Sequence, residues 1–203
     1  MELLRSIMGF FFPQKCIGCG NKNDILCRKC IDKIDKPTFL ELNNVFAASD
    51  YNDILVKKAI WLLKYRGIRE TAEPLAELIK IRLLEKIKDK ETAFIPIPLS
   101  AKRMKERCFN QTELIAKHIS DNVITNVLYK MKETPSQVAL KDRRKRLQNI
   151  KGSFGVKNAE LIINKNIILI DDVSTTGATM AEAKKILKNA GAKNVIGLVV
   201  ARG

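Results

Sequence analysis

Ile167-Ile168-Leu169-Ile170-Asp171-Asp172-Val173-Ser174-Thr175-Thr176-Gly177-Ala178-Thr179-Met180 passes from an unbroken aliphatic run through two acids into a hydroxyl-rich turn. Four branched aliphatic residues in a row predict a strand buried on both faces, the pattern of a parallel sheet covered by helices. Two adjacent carboxylates follow, so the strand leaves the core and a polar site begins at Asp171. The loop Val173 to Thr179 then supplies hydroxyls and a glycine. It runs into the helical spacing of Met180, Ala183, Ile186, Leu187 and Ala190. Backbone N–H groups at such a helix start lack partners within the helix, and its dipole favours an anion, so a phosphate is the expected guest. Asp171 and Asp172 repel a phosphate. They suit ribose hydroxyls, or a Mg2+ whose other ligands are substrate oxygens. A phosphorylated sugar satisfies both halves of the motif. The alternative, a plain strand, turn and helix capped by Thr179, has no use for two acids at an apolar strand's exit.

Outward from this stretch, Ala93 to Ile97 reads as a second buried strand leaving at Pro98 into Leu99-Ser100-Ala101-Lys102-Arg103. Ligands of open α/β sheets bind at such exits. If this strand neighbours the first, Lys102 and Arg103 reach the same end, where dense negative charge needs cations. Arg107, Phe109, Asn110 and Gln111 lead into a helix carrying Leu114, Ile115 and His118, the last read as a surface or helix-end residue. Val123 to Met131 predicts a third strand, Gly152 to Val156 a short one, and Asn194 to Ala201 the last buried one. Before these, Val45 to Tyr51 predicts a strand, with Asn52 or Asp53 capping a helix that buries Leu55, Val56, Ala59, Leu62 and Leu63 and stops at Gly67. Trp61, beside Leu62 and Leu63, is expected in the core. A second helix opens at Thr71 with Pro74 in its first turn and runs to about Ile87.

Near the N-terminus, Cys16-Ile17-Gly18-Cys19 and Cys27-Arg28-Lys29-Cys30 form two Cys-x-x-Cys pairs. Each can wrap a turn that aims two thiolates at one centre, with Gly18 and Gly20 easing the backbone, so four sulfurs give a closed, structural Zn2+ site. Two disulfides are the alternative, but nothing in the sequence points to an oxidising compartment. Cys108 is read as a plain thiol. The segment Met1 to Pro13, with Ile7, Met8, Phe10, Phe11 and Phe12, lacks the long apolar centre and cleavage site of a signal peptide. It reads as a short docking helix, or as an aromatic surface for a membrane or partner.

The 203 residues carry a formal charge of +15, with 46% hydrophobic and 29% charged residues. That composition describes a globular protein without an apolar run long enough to cross a bilayer, and a cytoplasmic location is expected. The charge favours polyanionic partners, nucleic acid or phosphorylated small molecules, or else reflects a lysine-rich surface that serves solubility. Lys130 to Lys151 holds eight Lys or Arg residues against two acids, with Lys141, Arg143, Arg144, Lys145 and Arg146 as its dense part. The stretch reads as a basic flap closing over pyrophosphate, as a polyanion contact, or as a solvated loop.

The acids and the Thr-Thr-Gly-x-Thr loop resemble the phosphoribosyl-pyrophosphate (PRPP) signature of type I phosphoribosyltransferases. By that resemblance Asp171 and Asp172 meet the ribose hydroxyls, while Ser174, Thr175, Thr176, Gly177, Ala178 and Thr179 cradle the 5′-phosphate. Lys102 and Arg103 then face the pyrophosphate. A wider set of residues resembles the competence protein ComF family over nearly the whole chain. It comprises the paired Cys-x-x-Cys, Leu63-Lys64-Tyr65, Ile95-Pro96-Ile97-Pro98-Leu99-Ser100, Arg107-Cys108-Phe109-Asn110-Gln111, Gln137 with Arg144 and Asn149, Phe154, and Ile170 through Thr179. The resemblance implies an N-terminal helix and zinc module (1–36) on a phosphoribosyltransferase-like domain (37–203). It also implies a role in uptake or processing of single-stranded DNA during natural transformation, with a helicase or DNA-translocation protein as a further partner. Cys108 stands where that family usually has glycine. Thr175 stands where purine-salvage enzymes place a carboxylate, so the acid that handles a purine ring nitrogen is missing. The resemblance therefore leaves two readings: a PRPP-binding protein, or an active transferase with an unidentified acceptor base.

Overall fold

A computed structural model describes residues 15–22, 24–38, 41–87, 92–132 and 150–203. The aromatic N-terminal segment and Gln137, Lys141, Arg143, Arg144, Lys145, Arg146 and Asn149 lie outside the described residues. Strand β1 (Glu41–Leu42) and strand β2 (Val45–Asp50) form a hairpin, and β3 (Ala93–Pro96), β6 (Asn166–Ser174) and β7 (Asn194–Arg202) complete a five-stranded sheet in the order β1-β2-β7-β6-β3. The pairs β2–β7, β7–β6 and β6–β3 are parallel and only β1 runs against them, as the apolar strand patterns predict. Two shorter strands, β4 (Leu128–Lys130) and β5 (Phe154–Val156), pair antiparallel apart from it.

Ile167 to Ile170 are buried to within 1% of completely, and the pleat deals them alternately to two cores. Ile168 and Ile170, with Phe46, Ala48, Leu198 and Val200 from the neighbouring strands, meet α2 (Ile54–Tyr65), α3 (Ala72–Ile87) and α5 (Gln111–Ile119). Ile167 and Leu169, with Val45, Ala47, Val195 and Val199, meet α6 (Ala178–Asn189) together with Leu128, Phe154 and Ile162. The cysteine segment joins the first core. Its short helix α1 (Arg28–Ile31) brings Cys30 and Ile31 into that cluster, and Arg28 pairs with Glu77 of α3 at 2.7 Å.

Helix α2 starts where expected, with the Asp53 carboxylate accepting from the N–H groups of Leu55 and Val56. Its buried stripe is Val56, Ala59, Ile60 and Leu63. That stripe turns Trp61 outward, 47% exposed, so the expectation that Trp61 packs in the core is wrong. The segment Val123 to Met131 is two pieces rather than one strand. Val123 bridges to Phe94 beside β3, and after Asn126 the chain leaves the sheet to pair with β5. His118 is exposed in the last turn of α5, at the helix end as expected.

Leu169→Ala removes a fully buried side chain from the central strand. It should destabilise the fold by about 2–5 kcal/mol, lowering Tm by roughly 5–20 °C in a thermal melt.

Candidate functional site

Strand β6 runs on to Ser174, so the two acids lie inside its last paired residues, with Asp171 opposite Val199 and Ser174 opposite Arg202 of β7. The pleat that divides the aliphatic residues divides the acids too. Asp172 follows the parity of Ile168 and Ile170 toward α2 and α5. There Lys64 Nζ donates to Oδ1 at 2.6 Å and Gln111 Nε2 donates to Oδ2 at 2.7 Å. Asp172 is 3% exposed, so both oxygens are engaged in a nearly dry setting. Arg107, at the end of α4 (Ala101–Arg107), steadies the clamp by donating from Nη1 to Gln111 Oε1 at 3.0 Å.

Asp171 has the parity of Ile167 and Leu169, on the opposite face, and stays half-buried. Its Oδ1 accepts from the Asp172 N–H at 2.8 Å. Burial pushes its carboxyl up to about 7 and the Asp172 charge adds to the rise, while Lys64, the Asp172 N–H and Lys130 of β4 pull it down. A cation or a set of hydroxyl donors at Asp171 would relieve that cost. The first residues of the basic stretch thus lie close enough for Lys130 to be felt at the acids.

After Ser174 the chain turns through Thr175 and Thr176 to Gly177, whose φ of +76° favours glycine and which has open space where a side chain would project. Helix α6 begins at Ala178, two residues before the first residue of the predicted apolar spacing. Gly177 is its N-cap without a side-chain cap, and no acid lies in its first turn. The Ala178 N–H donates to Thr176 Oγ1 at 3.4 Å, and Thr179 is not the cap. Thr176, Gly177, Ala178 and Arg202 line a cleft of about 180 Å³ together with the apolar side chains of Val45, Ala47 and Val199. Lys184 of α6 also reaches the cleft and donates to the Asn43 carbonyl at 2.7 Å.

Strand β3 does neighbour β6, Pro96 pairing with Ile170, and the Ile97 N–H continues the ladder to the Ile170 carbonyl. Ser100 caps α4 by accepting from the Arg103 N–H, which puts Lys102 and Arg103 in that helix's first turn at the same end of the sheet as the acids. Cys108 ends α4 with φ at +61°, the left-handed conformation that makes glycine the favoured residue there. No local signal in the sequence marks Lys64, Gln111 or Arg202 as a site residue. The motifs Leu63-Lys64-Tyr65 and Arg107 to Gln111 stand out only by the family resemblance, and Arg202 has no signal beyond closing an apolar strand.

The four N-terminal cysteines form one cluster, with all sulfurs within 4.8 Å of one another and no disulfide among them. Cys19 and Cys27 Sγ are 3.6 Å apart, close to the roughly 3.8 Å edge of a tetrahedron with 2.3 Å metal–sulfur bonds. A Cβ on Gly18 would lie 2.7 Å from Cys30 Sγ, so the loop closes only with glycine there. Burial pushes the Cys16 thiol up, but hydrogen bonds from the backbone of Cys27, Cys19 and Gly18 outweigh it and bring it down to about 6. Burial and the neighbouring sulfurs push Cys30 up to about 12. Four thiolates this close need a divalent cation to ionise together, and the set fits zinc.

These features define a phosphoribosyl transferase domain, and the family model of that description matches residues 68–203. The chain is 30% identical over 193 residues to the competence protein ComFC of Bacillus subtilis, covering 93% of this chain and 75% of that protein. It is 41% identical over 108 residues to ComFC of Streptococcus pneumoniae, covering 53% of this chain and about half, 47%, of that protein's length. A hypoxanthine phosphoribosyltransferase of Staphylococcus aureus aligns with 64% of this chain and 62% of its own at 12% identity and a TM-score of 0.41. The chain belongs to the ComF family of competence proteins, built on a phosphoribosyl transferase domain.

Two outcomes follow from the site. Purified protein should hold about one Zn2+ per chain by elemental analysis, and Gly18→Ala should lower that occupancy by crowding Cys30. Asp171→Asn should stabilise the protein in Mg2+-free buffer. Because the native carboxyl binds its proton more tightly than the unfolded one, the parent loses stability as pH rises from about 4 to about 7. The variant lacks this loss, so the gap between their melts should open across that window. It should reach about 1–2 kcal/mol above pH 7, a value reduced for the partial access of Asp171 to water.

Proposed function

We propose that the exit of β6 binds a phosphoribosyl ligand, PRPP with Mg2+, and that the protein acts with it in uptake or processing of single-stranded DNA during natural competence. The observation that carries the ligand reading is the sequence of chemistries along one strand exit. An acid of raised pKa, Asp171, is followed within a few residues by a glycine-turned loop opening onto an acid-free helix start. In this reading Asp171 accepts from ribose hydroxyls or holds the Mg2+, while Ser174 to Thr179 and the first amides of α6 receive the 5′-phosphate. Asp172, locked by Lys64 and Gln111, fixes the strand end against which the sugar sits. Lys102 and Arg103 face the pyrophosphate, and the basic stretch with Lys141, Arg143, Arg144, Lys145 and Arg146 closes over it. Zinc at Cys16, Cys19, Cys27 and Cys30 is structural, since four protein sulfurs leave no open position. The DNA reading rests on family membership together with the +15 charge.

Displacement at the ribose C1 needs positioning and stabilisation of the departing pyrophosphate more than a protein base, so the same site supports transfer as well as binding. Calorimetry with PRPP and Mg2+ should show saturable binding. Asp171→Asn alone and Asp171→Asn with Asp172→Asn should weaken it tenfold or more while the fold melts cooperatively. Unchanged PRPP affinity in a folded double variant would sink the ligand reading. Release of labelled pyrophosphate in the presence of a panel of bases would identify a transferase; binding without release would identify a PRPP-binding protein.

A further inference from the structure

The outward face of α2 carries three large apolar side chains in water: Ile54 is 79% exposed, Trp61 47% and Tyr65 63%. Spaced on one side of the helix with Lys57 and Lys58 exposed among them, they form a stripe of alternating apolar and cationic groups. The helix itself holds no acid, and Arg66 and Arg69 extend the cations past its end. The Trp61 and Tyr65 rings stand 6.5 Å apart at 41°. Arg107 of α4 lies over Tyr65 at 5.5 Å, Arg69 over Phe109 at 4.8 Å and Lys57 over Tyr51 at 5.9 Å.

A protein-binding patch would gather its aromatic groups into a core depleted of charge. Here Tyr51, Tyr65 and Phe109 each have a cation over the ring, and Lys57 and Lys58 are exposed on the same side of α2 as Trp61, so the occupant has to offer flat apolar faces and negative charge together. Bases joined by phosphates do so, and only a single strand leaves the faces of its bases open for stacking. We propose that single-stranded nucleic acid binds across α2. Its bases stack on Trp61 and Tyr65, and its phosphates meet Lys57, Lys58, Arg66 and Arg69. The stripe offers rings and cations rather than base-edge partners, so binding tolerates any sequence. This proposal rests on the single-stranded DNA reading above and gives that reading a surface on α2. It also connects that surface to the acids: Tyr65 is covered by Arg107, which holds Gln111, which holds Asp172 beside Lys64 of α2 itself.

Trp61 is the only tryptophan of the chain, so its emission reports the stripe directly. Full-length zinc-loaded protein is titrated with an oligothymidylate carrying a 5′ dye, and dye anisotropy and Trp61 emission are read separately. Emission should be quenched in step with anisotropy, and affinity should fall with salt by a slope of roughly 0.7 per phosphate contacted. Trp61→Ala and Tyr65→Ala should each weaken binding about tenfold or more. Trp61→Phe, which keeps a stacking face, should stay near the parent, and zinc content and Tm should be unchanged in all three. If the parent binds the oligonucleotide with unchanged Trp61 emission and Trp61→Ala binds as well as the parent, the stripe proposal is overturned while the DNA reading stands. Absence of any oligonucleotide binding overturns both, leaving PRPP binding to be judged by calorimetry. Self-association of the parent that Trp61→Ala abolishes, seen by sedimentation without oligonucleotide binding, also overturns the proposal and makes the stripe a contact between copies.

Discussion

Asp172 places a carboxylate at 3% exposure at the end of an apolar strand, and the rest of the architecture is tied to how that charge is met. A buried charge left alone costs several kcal/mol, so the fold has to deliver partners to it. They come from two helices far apart in the chain: Lys64 from the end of α2 and Gln111 from the first turn of α5. The grip brings the C-terminus of one helix and the N-terminus of the other to the sheet edge where β6 gives way to its loop. An apolar residue at 172 would leave Lys64 and Gln111 reaching toward nothing. Removing Lys64 would strand the acid. The clamp therefore acts as one unit, in which pairwise contributions do not add.

The pleat gives the neighbouring acid a different role. One residue earlier, Asp171 faces the other core, half-buried, with the field of Lys64, the backbone of Asp172 and the field of Lys130 as its support. Of the two carboxylates, one is occupied in holding the protein together and the other pays the desolvation cost that a ligand can relieve. The cysteine loop is tied to the clamp's side of the sheet. Cys16, Cys27 and Cys30 share a cluster with Val56, Leu63 and Leu75, and Arg82 of α3 donates to the Ile34 carbonyl. A metal at those sulfurs would thus stiffen the packing beneath α2 and α3 as well as its own loop.

Much of this was legible in the sequence because the signals were local. The aliphatic runs of β3, β6 and β7, the Asp53 cap, the paired Cys-x-x-Cys and the acids before a threonine-glycine loop each announce themselves within a dozen residues. What stayed hidden depended on distance or on degenerate patterns. Lys64 and Asp172 are 108 positions apart, and nothing in either neighbourhood names the other. Helix α2 is apolar over most of its circumference, so Leu55, Val56, Ala59, Ile60, Trp61, Leu62 and Leu63 allow more than one buried stripe. The sheet selects the stripe that leaves Trp61 outside. The residues from Val123 to Met131 have one strand-like composition but two partners, and composition does not say where a chain changes partner. The left-handed turn at Cys108 was hinted at only by the glycine expected from the family.

The clamp also determines how two ligands on this protein would sense each other. Asp171 and Asp172 point to opposite faces of β6, so a sugar at Asp171 and a strand on α2 need not occupy the same space. What they share is the chain of contacts from Asp172 through Gln111 and Arg107 to Tyr65. A divalent cation at the acids would attract the Asp172 carboxylate and repel Lys64 Nζ, working against one arm of the clamp. A base stacked on Tyr65 would compete with Arg107 for the ring, and Arg107 is the residue that steadies Gln111. Because both perturbations act on one carboxylate, each changes the cost of the other, and thermodynamic linkage makes that effect reciprocal.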